Sequence, residues 1–239
     1  MREQRIAGSK VRITGGPDHE GGGDGPLVVL LHGFGAPGDD LVPLHRQLDV
    51  PREVRFAFPE APLDLGASLG AAYEGARAWW MIDTAALAAG PRKDRSRDVP
   101  EGLAAARANI EEILRGLETE LSVSREKMLL GGFSQGAMLT VDVAVRAETA
   151  FSGLALMSGT VIALDEWKPG LKKLRGMPIL QSHGRADPLL SFEAAERLRD
   201  LLFEAGASVR WVEFAGGHTI TGATIDALGK LIRDVAGSP

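Results

Sequence analysis

Short apolar runs alternate along this chain with segments of helical periodicity. The apolar runs are rich in β-forming residues and bounded by glycine or proline, as in residues 27–32 (LVVLLH). Such runs are typical of strands buried on both faces, and their alternation with helices favours a mostly parallel sheet with helices on both sides. We therefore expect an α/β fold. Predicted strands span 27–32, 54–58, 127–133, 151–158, 178–183 and 209–214, and predicted helices span 39–48, 101–121, 134–146, 191–205 and 221–235.

Composition excludes several classes of protein. The chain has 239 residues, no cysteine and a net charge of −5. Without cysteine it cannot form disulfides, thiolate metal sites or a cysteine nucleophile. The negative charge disfavours sequence-independent binding of nucleic acid, and no apolar stretch is long enough for a signal peptide or a membrane span. We expect one cytoplasmic domain over residues 1–239, with no nucleic-acid partner and no stable membrane association.

A glycine-rich turn follows the first of these predicted strands. Residues 33–38 (GFGAPG) fit the pattern G-x-G-x-x-G, and Glu60 lies about 20 residues further on, at the end of the next strand. This pattern is typical of dinucleotide-binding folds, in which backbone amides approach the pyrophosphate and the acidic residue binds the ribose. A plain glycine-rich turn between strand and helix is the other interpretation of the same residues.

The pattern G-x-S-x-G occurs twice, and its context separates the two copies. Residues 66–70 (GASLG) follow no convincing strand, so Ser68 is interpreted as a loop residue. Residues 132–136 (GFSQG) lie between a predicted strand and a predicted helix, the geometry of a nucleophile elbow. The flanking glycines let strand and helix approach, and the helix start places the Gln135 amide where an oxyanion would form. Ser134 is therefore the predicted nucleophile.

A serine nucleophile needs a base, and the base needs an acid that fixes its tautomer. In α/β-hydrolases the chain order is serine, acid, histidine. His218 follows the last predicted strand on a glycine loop and is the predicted base, with His183 as the alternative. Asp187 follows the strand at 178–183 and is the predicted acid. Asp165 and Glu166 are alternatives that are less well placed after a strand.

One hydrolase site accounts for both glycine motifs. The turn at 33–38 would lie beside the nucleophile, where the backbone N–H of Phe34 can act as a second oxyanion donor. The dinucleotide interpretation leaves Ser134, Asp187 and His218 unexplained. We therefore favour an acyl-transfer enzyme over a nucleotide-binding protein.

Five segments carry a resemblance to a known family. They are residues 31–35 (LHGFG), 78–83 (AWWMID), 131–136 (GGFSQG), 183–187 (HGRAD) and 217–218 (GH). From about Leu27 to its end the sequence resembles the phospholipase/carboxylesterase family of α/β-hydrolases, which includes acyl-protein thioesterases and bacterial carboxylesterases. The segment AWWMID is similar to the tryptophan-containing lid segment of that family.

The resemblance implies an α/β-hydrolase fold and a serine esterase without metal or organic cofactor. It implies Ser134, Asp187 and His218 as triad and the amides of Phe34 and Gln135 as oxyanion hole. Members are often dimers, so it also suggests a homodimer. Two departures favour small esters over membrane-bound acyl proteins. The chain has no cysteine near its N-terminus to carry a lipid anchor, and residues 79–80 are paired tryptophans where one is usual.

Substrate choice is expected to come from a lid-like insertion, the irregular segment at about 63–98. No basic cluster flanks the motifs, which favours a small-molecule carboxylic ester with an uncharged, short to medium acyl chain. Acyl thioesters and lysophospholipids are alternative substrates for the same triad, and a non-catalytic ligand receptor with a hydrolase fold is the alternative from another class. Ordinary core packing is the other interpretation of the apolar residues in the insertion. The predicted pocket residues are Leu65, Tyr73, Trp79, Trp80, Met81 and Leu189.

Overall fold

The structure is a computed structural model that describes residues 1–83, 85 and 94–237. In this part of the chain an eight-stranded main sheet and a two-stranded hairpin are flanked by helices. The strands are β1 (Arg2–Ile6), β2 (Ser9–Gly15), β3 (Leu27–Leu31), β4 (Arg55–Pro59), β5 (Leu63–Asp64), β6 (Arg77–Ala78), β7 (Met128–Phe133), β8 (Gly153–Met157), β9 (Pro178–Gly184) and β10 (Ser208–Phe214). The α-helices are α1 (Leu65–Leu69), α2 (Leu103–Glu120), α3 (Gln135–Ala144), α4 (Leu164–Leu171), α5 (Phe192–Glu204) and α6 (Gly222–Ala236).

The main sheet has the strand order β1-β2-β4-β3-β7-β8-β9-β10. Its neighbouring strands are parallel from β4 to β10, whereas β2 is antiparallel to both β1 and β4. In the register of β3 and β7, Leu31 lies opposite Gly132, so the turn at 33–38 leaves the sheet beside Ser134. In the register of β9 and β10, Gly184 lies opposite Phe214. The loops that carry the predicted site residues therefore leave the same edge of the sheet.

Apolar side chains form one buried cluster on each face of the sheet. Along β3 they alternate, with Val29 in the cluster that includes residues of α2 and α3, and Val28 in the cluster that includes residues of α6. This arrangement buries both faces of the central strands, as continuous apolar runs require. It confirms the predicted α/β class with a mostly parallel sheet. No helix in the described part of the chain combines the length and apolarity that crossing a bilayer requires.

The helix predicted over 39–48 is wrong in extent and type. The structure has a 3-10 helix over Val42–Arg46, directly preceded by Leu41. Leu41 and Leu44 are both buried, and their spacing of three matches the period of a 3-10 helix.

The N-terminal hairpin and the helix α4 have no counterpart among the predicted elements. The hairpin of β1 and β2 turns at Ala7 and Gly8, which both have positive φ (50° and 79°), as a tight hairpin requires. Its strands are rich in charged residues, which hides the apolar alternation. The short helix α4 contains Pro169, which signals a break in a helix.

The segment at 63–98 was expected to be irregular. In the described part, β5 and β6 pair as antiparallel strands of two residues each, and the chain between them forms α1 and a 3-10 turn. Residues 84 and 86–93 of the predicted lid-like insertion lie outside the described residues. The assignment of 63–98 as a lid stays a prediction.

Candidate active site

Ser134 occupies a sharp turn between β7 and α3. Its φ is 55° and its ψ is −116°, a conformation that residues other than glycine rarely adopt and that marks functional turns. A Cβ at Gly132 would lie 2.5 Å from the carbonyl carbon of Gly136, and one at Gly136 would lie 2.1 Å from the carbonyl oxygen of Leu31. Both glycines are therefore required by the close approach of β7, α3 and β3. The amide of Gln135 opens α3, where no intrahelical carbonyl can accept it.

His218 and Asp187 are joined by a short hydrogen bond. The Nδ1 atom of His218 lies 2.6 Å from Oδ2 of Asp187. The other carboxylate oxygen accepts hydrogen bonds from the amides of Leu189 and Leu190, both at 2.9 Å. The carboxylate is fully buried, whereas a small part of His218 is exposed. This bond places the proton of a neutral imidazole on Nδ1 and leaves Nε2 as the basic atom.

The surroundings of Asp187 keep it ionised. Burial by itself would raise the pKa of this carboxyl group. The hydrogen bonds from His218 and from the amides of Leu190 and Leu189 outweigh burial, so the pKa of Asp187 lies below its usual value. The carboxylate is thus available as an acceptor for His218 at neutral pH.

The loops that carry the acid and the histidine are joined through their backbones. A Cβ at Gly184 would lie 2.3 Å from the carbonyl oxygens of both Gly216 and Gly217, so only glycine permits this approach. The amide of Ala186 donates to the carbonyl of Gly216 at 3.1 Å, next to the histidine loop. The distance between Asp187 and His218 is therefore set by rigid backbone at the ends of β9 and β10.

Two contacts bring this pair and the first glycine turn to the elbow. The ring of Phe133, the residue before Ser134, packs on the ring of His218 with centroids 4.8 Å apart. A Cβ at Gly33 would lie 3.4 Å from the Cβ of Ser134. The structure thus gathers the predicted nucleophile, base and acid at one sheet edge, together with the turn that contains Phe34.

The alternative triad residues have other surroundings. His183 has a fully buried side chain, and its Nε2 lies 3.0 Å from the carbonyl oxygen of Leu190 and 3.3 Å from Oδ2 of Asp187. Burial lowers the pKa of His183, so this histidine is neutral and lies against the acid. Asp165 pairs with Arg97 on the surface.

Glu166, the other alternative acid, and Ser68, the serine of the other G-x-S-x-G, are both engaged in local structure. Glu166 pairs with Arg146 at 2.6 Å, on the surface of α4. The interpretation of Ser68 as a loop residue is wrong, because it lies in the short helix α1, where its hydroxyl donates to the backbone carbonyl of Asp64 at 3.1 Å. Neither arrangement presents a side chain to the elbow at Ser134.

Glu60, the residue that could have bound a ribose, is held by three cations. Its carboxylate lies 3.2 Å from Arg12, 3.4 Å from Arg77 and 3.7 Å from Lys10. A Cβ at Gly38 would lie 2.7 Å from Cγ of Glu60, which gives this glycine a packing role. The last glycine of the G-x-G-x-x-G pattern therefore has a local structural cause.

A function for the side chain of Gln135 could not be predicted from the sequence. This side chain is fully buried. Its Oε1 accepts a hydrogen bond from the backbone amide of Trp79 at 2.9 Å, and its Nε2 donates to the backbone carbonyl of Trp80 at 2.8 Å. The only sequence signal was the unusual glutamine directly after the elbow serine.

The predicted pocket residues divide into two groups. Leu65, Trp79 and Trp80 are almost fully buried, and both tryptophans belong to the apolar cluster that includes residues of α2 and α3. Tyr73 and Leu189 are partly exposed, and Met81 is 42% exposed. The role of these six residues as an acyl pocket stays a prediction. Within the described ranges, no three His, Asp or Glu side chains are grouped so that they could hold a metal ion.

Comparisons with known proteins agree on one family. The family model for phospholipase/carboxylesterase matches residues 21–235. The chain is 27% identical over 215 residues to acyl-protein thioesterase 1 of Neurospora crassa, with 87% of this chain and 85% of that protein covered. It is 28% identical over 216 residues to a probable carboxylesterase of Oryza sativa, with 87% and 77% covered.

Solved structures show the same fold. Esterase PE8 superposes with a TM-score of 0.78 at 23% identity, covering 93% of this chain and 97% of that one. The carboxylesterase of Bacillus cereus superposes with a TM-score of 0.70 at 20% identity, covering 95% and 94%. With a family model that matches nearly its whole length, this chain belongs to the phospholipase/carboxylesterase family and has the α/β-hydrolase fold.

Proposed function

We propose that this protein is a serine carboxylesterase that hydrolyses short- to medium-chain carboxylic esters through an acyl-enzyme intermediate. The observation that carries the proposal is the 2.6 Å hydrogen bond between His218 and Asp187 beside the strained turn at Ser134. Membership of a family of phospholipases and carboxylesterases supports it. Each residue of the proposed triad has a distinct part in the reaction.

Acylation begins when Oγ of Ser134 attacks the ester carbonyl carbon and its proton moves to Nε2 of His218. Asp187 stabilises the imidazolium that forms and keeps the ring oriented. The tetrahedral intermediate then collapses, the bond to the alkoxy oxygen breaks, and His218 delivers the proton to the leaving alcohol. The acyl group is left as an ester of Ser134.

Deacylation repeats these steps with water as the nucleophile. His218 takes a proton from a water molecule, whose oxygen attacks the acyl carbon. The second tetrahedral intermediate releases Oγ of Ser134, which regains the proton from His218. The products are one alcohol and one carboxylic acid for each water consumed.

The oxyanion of both intermediates is stabilised by two backbone amides, those of Phe34 and Gln135. The amide of Gln135 lies at the start of α3, where the positive end of the helix dipole adds to the interaction. The turn of Phe34 lies against the elbow through Gly33. Fixed amides of this kind commonly contribute a factor of about 10² to 10³ each to kcat.

The acyl group is expected to be uncharged and of short to medium length. The exposed Met81 and the partly exposed Tyr73 and Leu189 offer apolar surface for it. A series of p-nitrophenyl esters of increasing acyl length tests this. We expect kcat/KM to be highest for short to medium chains, and a clear preference for long-chain lysophospholipids would refute the proposed substrate class.

Acyl thioesters are a second candidate substrate class. The relative from Neurospora crassa is an acyl-protein thioesterase, which favours this candidate specifically. A matched pair of substrates, an ester and a thioester with the same acyl chain, separates the two. A higher kcat/KM for the thioester would make thioester hydrolysis the main activity.

Labelling with a fluorophosphonate probe tests the serine mechanism directly. An activated serine Oγ displaces fluoride from phosphorus and remains phosphonylated, so peptide mass spectrometry locates the modified residue. We expect label on Ser134, with none in Ser134→Ala. Ser68→Ala, at the other G-x-S-x-G, should label as the wild type does. Absence of labelling in the wild type would favour a non-catalytic ligand receptor.

A further inference from the structure

The side chain of Gln135 connects the elbow to the segment at 77–80. It is fully buried, and both ends of its amide are matched to backbone groups of this segment. Because the Trp79 amide can only donate and the Trp80 carbonyl can only accept, one orientation of the glutamine amide satisfies both. The glutamine thus pairs with the tryptophan backbone as another peptide group would.

The connection continues from Trp79 to the end of β3. The indole Nε1 of Trp79 donates to the backbone carbonyl of His32 at 2.9 Å. Nε2 of His32 accepts from the amide of Ala61 at 3.0 Å, which leaves the ring proton on Nδ1, 2.8 Å from the carbonyl oxygen of Gly33. This series of hydrogen bonds therefore ends one residue before Phe34.

A second set of bonds ties the same two segments directly. The amide of Gly35 donates to the carbonyl of Arg77, and the amide of Arg77 donates to the carbonyl of Ala36, both at 2.9 Å. The turn that contains Phe34 is thus paired with Arg77, the first residue of β6, two positions before Trp79. The segment at 77–80 is therefore hydrogen-bonded both to α3, which carries the Gln135 amide, and to the turn that carries the Phe34 amide.

We propose that the side chain of Gln135 is a positioning residue that holds the amide of Phe34 in register with the elbow. The inference rests on the proposed esterase function and assigns to the side chain a role separate from that of its own backbone amide. Loss of the link frees the segment at 77–80 from α3, and the turn of Phe34 can then shift relative to Ser134. A displacement of about 1 Å in such a site can lower the rate about 100-fold.

Gln135→Met tests this, because methionine fills a similar volume and removes both hydrogen bonds while it leaves the backbone amide in place. We expect kcat for p-nitrophenyl acetate to fall about 10- to 100-fold, with KM changing less than kcat. The acidic limb of the pH profile of kcat/KM should stay in place, because the bond between His218 and Asp187 is untouched. A general disturbance of the site would move that limb as well.

The chain offers a matched control in Gln181. This glutamine is also fully buried, and its Nε2 donates to the carbonyl of Ala195 at 2.8 Å, on α5. Gln181→Met removes this hydrogen bond at a distance from the proposed oxyanion donors and should keep the wild-type kcat. If Gln135→Met keeps kcat within about twofold of Gln181→Met, the positioning role is overturned.

A second variant keeps the inference testable if Gln135→Met does not fold. Trp79→Phe retains an aromatic ring, removes the indole N–H that donates to His32 and leaves some space where the five-membered ring of the indole packed. We expect kcat to fall several-fold in the same direction, and an unchanged kcat would contradict the proposed link.

Failure of the inference and failure of the proposed function are distinguishable. If Ser134 of the wild type is not labelled by a fluorophosphonate, the esterase proposal is wrong and the positioning role is wrong with it. If Ser134 is labelled and esters are hydrolysed, but both variants keep their kcat, only the positioning role is wrong.

Discussion

The Nδ1 atom of His218 lies 2.6 Å from Oδ2 of Asp187, although 31 positions separate the two residues in the sequence. The parallel pairing of β9 and β10 brings the loops that follow them together, and Gly184 permits the close approach of their backbones. The amides of Leu189 and Leu190 hold the second carboxylate oxygen. Backbone geometry thus fixes the position of the Asp187 carboxylate.

Asp187→Asn should lower kcat by up to about 10⁴-fold with little loss of stability. The asparagine amide can donate to Nδ1 of His218, which moves the ring proton to Nε2 and removes the basic atom from the reaction. Steady-state kinetics and a thermal melt measure the two effects separately. Asp165→Asn, at the surface alternative, is the control and should retain wild-type kcat. A loss of less than about tenfold in Asp187→Asn would move the acid elsewhere.

His218→Gln and His183→Gln should differ sharply in activity. Removal of the base is expected to lower kcat by about 10⁴- to 10⁶-fold. At position 183, glutamine can place its Nε2 near the position of the imidazole Nε2 and still donate to the carbonyl of Leu190. We therefore expect His183→Gln to lose at most about tenfold. If both variants fold and lose kcat equally, the assignment of His218 as the base is contradicted.

Gly136→Ala should be strongly destabilising, because its Cβ would lie 2.1 Å from the backbone oxygen of Leu31. Neither backbone can give way easily, so we expect a cost of about 3 kcal/mol or more in the free energy of unfolding. For a chain of this size that corresponds to a fall of about 6–12 °C in melting temperature.

Gly222→Ala is the matched control for this substitution. Gly222 opens α6, and a Cβ there would meet no atom within 4 Å. Alanine should leave the melting temperature unchanged or raise it slightly, since it restricts the unfolded chain more than glycine does. A Gly136→Ala protein as stable as Gly222→Ala would show that β3 and α3 are not in close contact.

The sequence predicted the fold correctly where a structural feature requires one particular type of residue. Continuous apolar runs located the parallel strands. The paired glycines around Ser134 indicated the elbow for the reason that the structure gives, since a Cβ at either one would clash with backbone. Patterns of this kind involve residues that are close in the sequence, so they can be recognised in a single sequence.

Other features depend on contacts between residues far apart in the sequence. The ion pairs of Glu60, the residue after β4, connect it to Arg12 of β2 and Arg77 of β6. The sequence alone did not show these partners, so Glu60 resembled the ribose-binding residue of a dinucleotide site. The bonds from Gln135 to residues 79 and 80 span 55 and 56 positions. No periodicity or motif encodes such a pair, which is why the side chain of Gln135 was not predicted.

His32 belongs to the series of hydrogen bonds that runs from Gln135 through Trp79 to Gly33, and it also makes the stability of the fold depend on pH. Burial of its ring is the main cause that lowers its pKa to about 4 from an ordinary value of 6.5. Between these two values the unfolded chain binds a proton at this residue and the folded protein does not. The neutral ring therefore contributes stability above about pH 6.5, and this contribution is lost as the pH falls towards 4.

His32→Asn should flatten the dependence of stability on pH, because asparagine does not titrate and its amide can still donate to the carbonyl of Gly33. Between about pH 7 and pH 4.5 we expect the wild type to lose about 2 kcal/mol more than this variant in the free energy of unfolding. Denaturant unfolding at each pH measures the difference. His19→Asn, at an exposed turn residue with φ of 63°, is the control and should keep the wild-type slope. Equal slopes in all three proteins would mean that the ring of His32 is protonated as readily in the fold as in the unfolded chain.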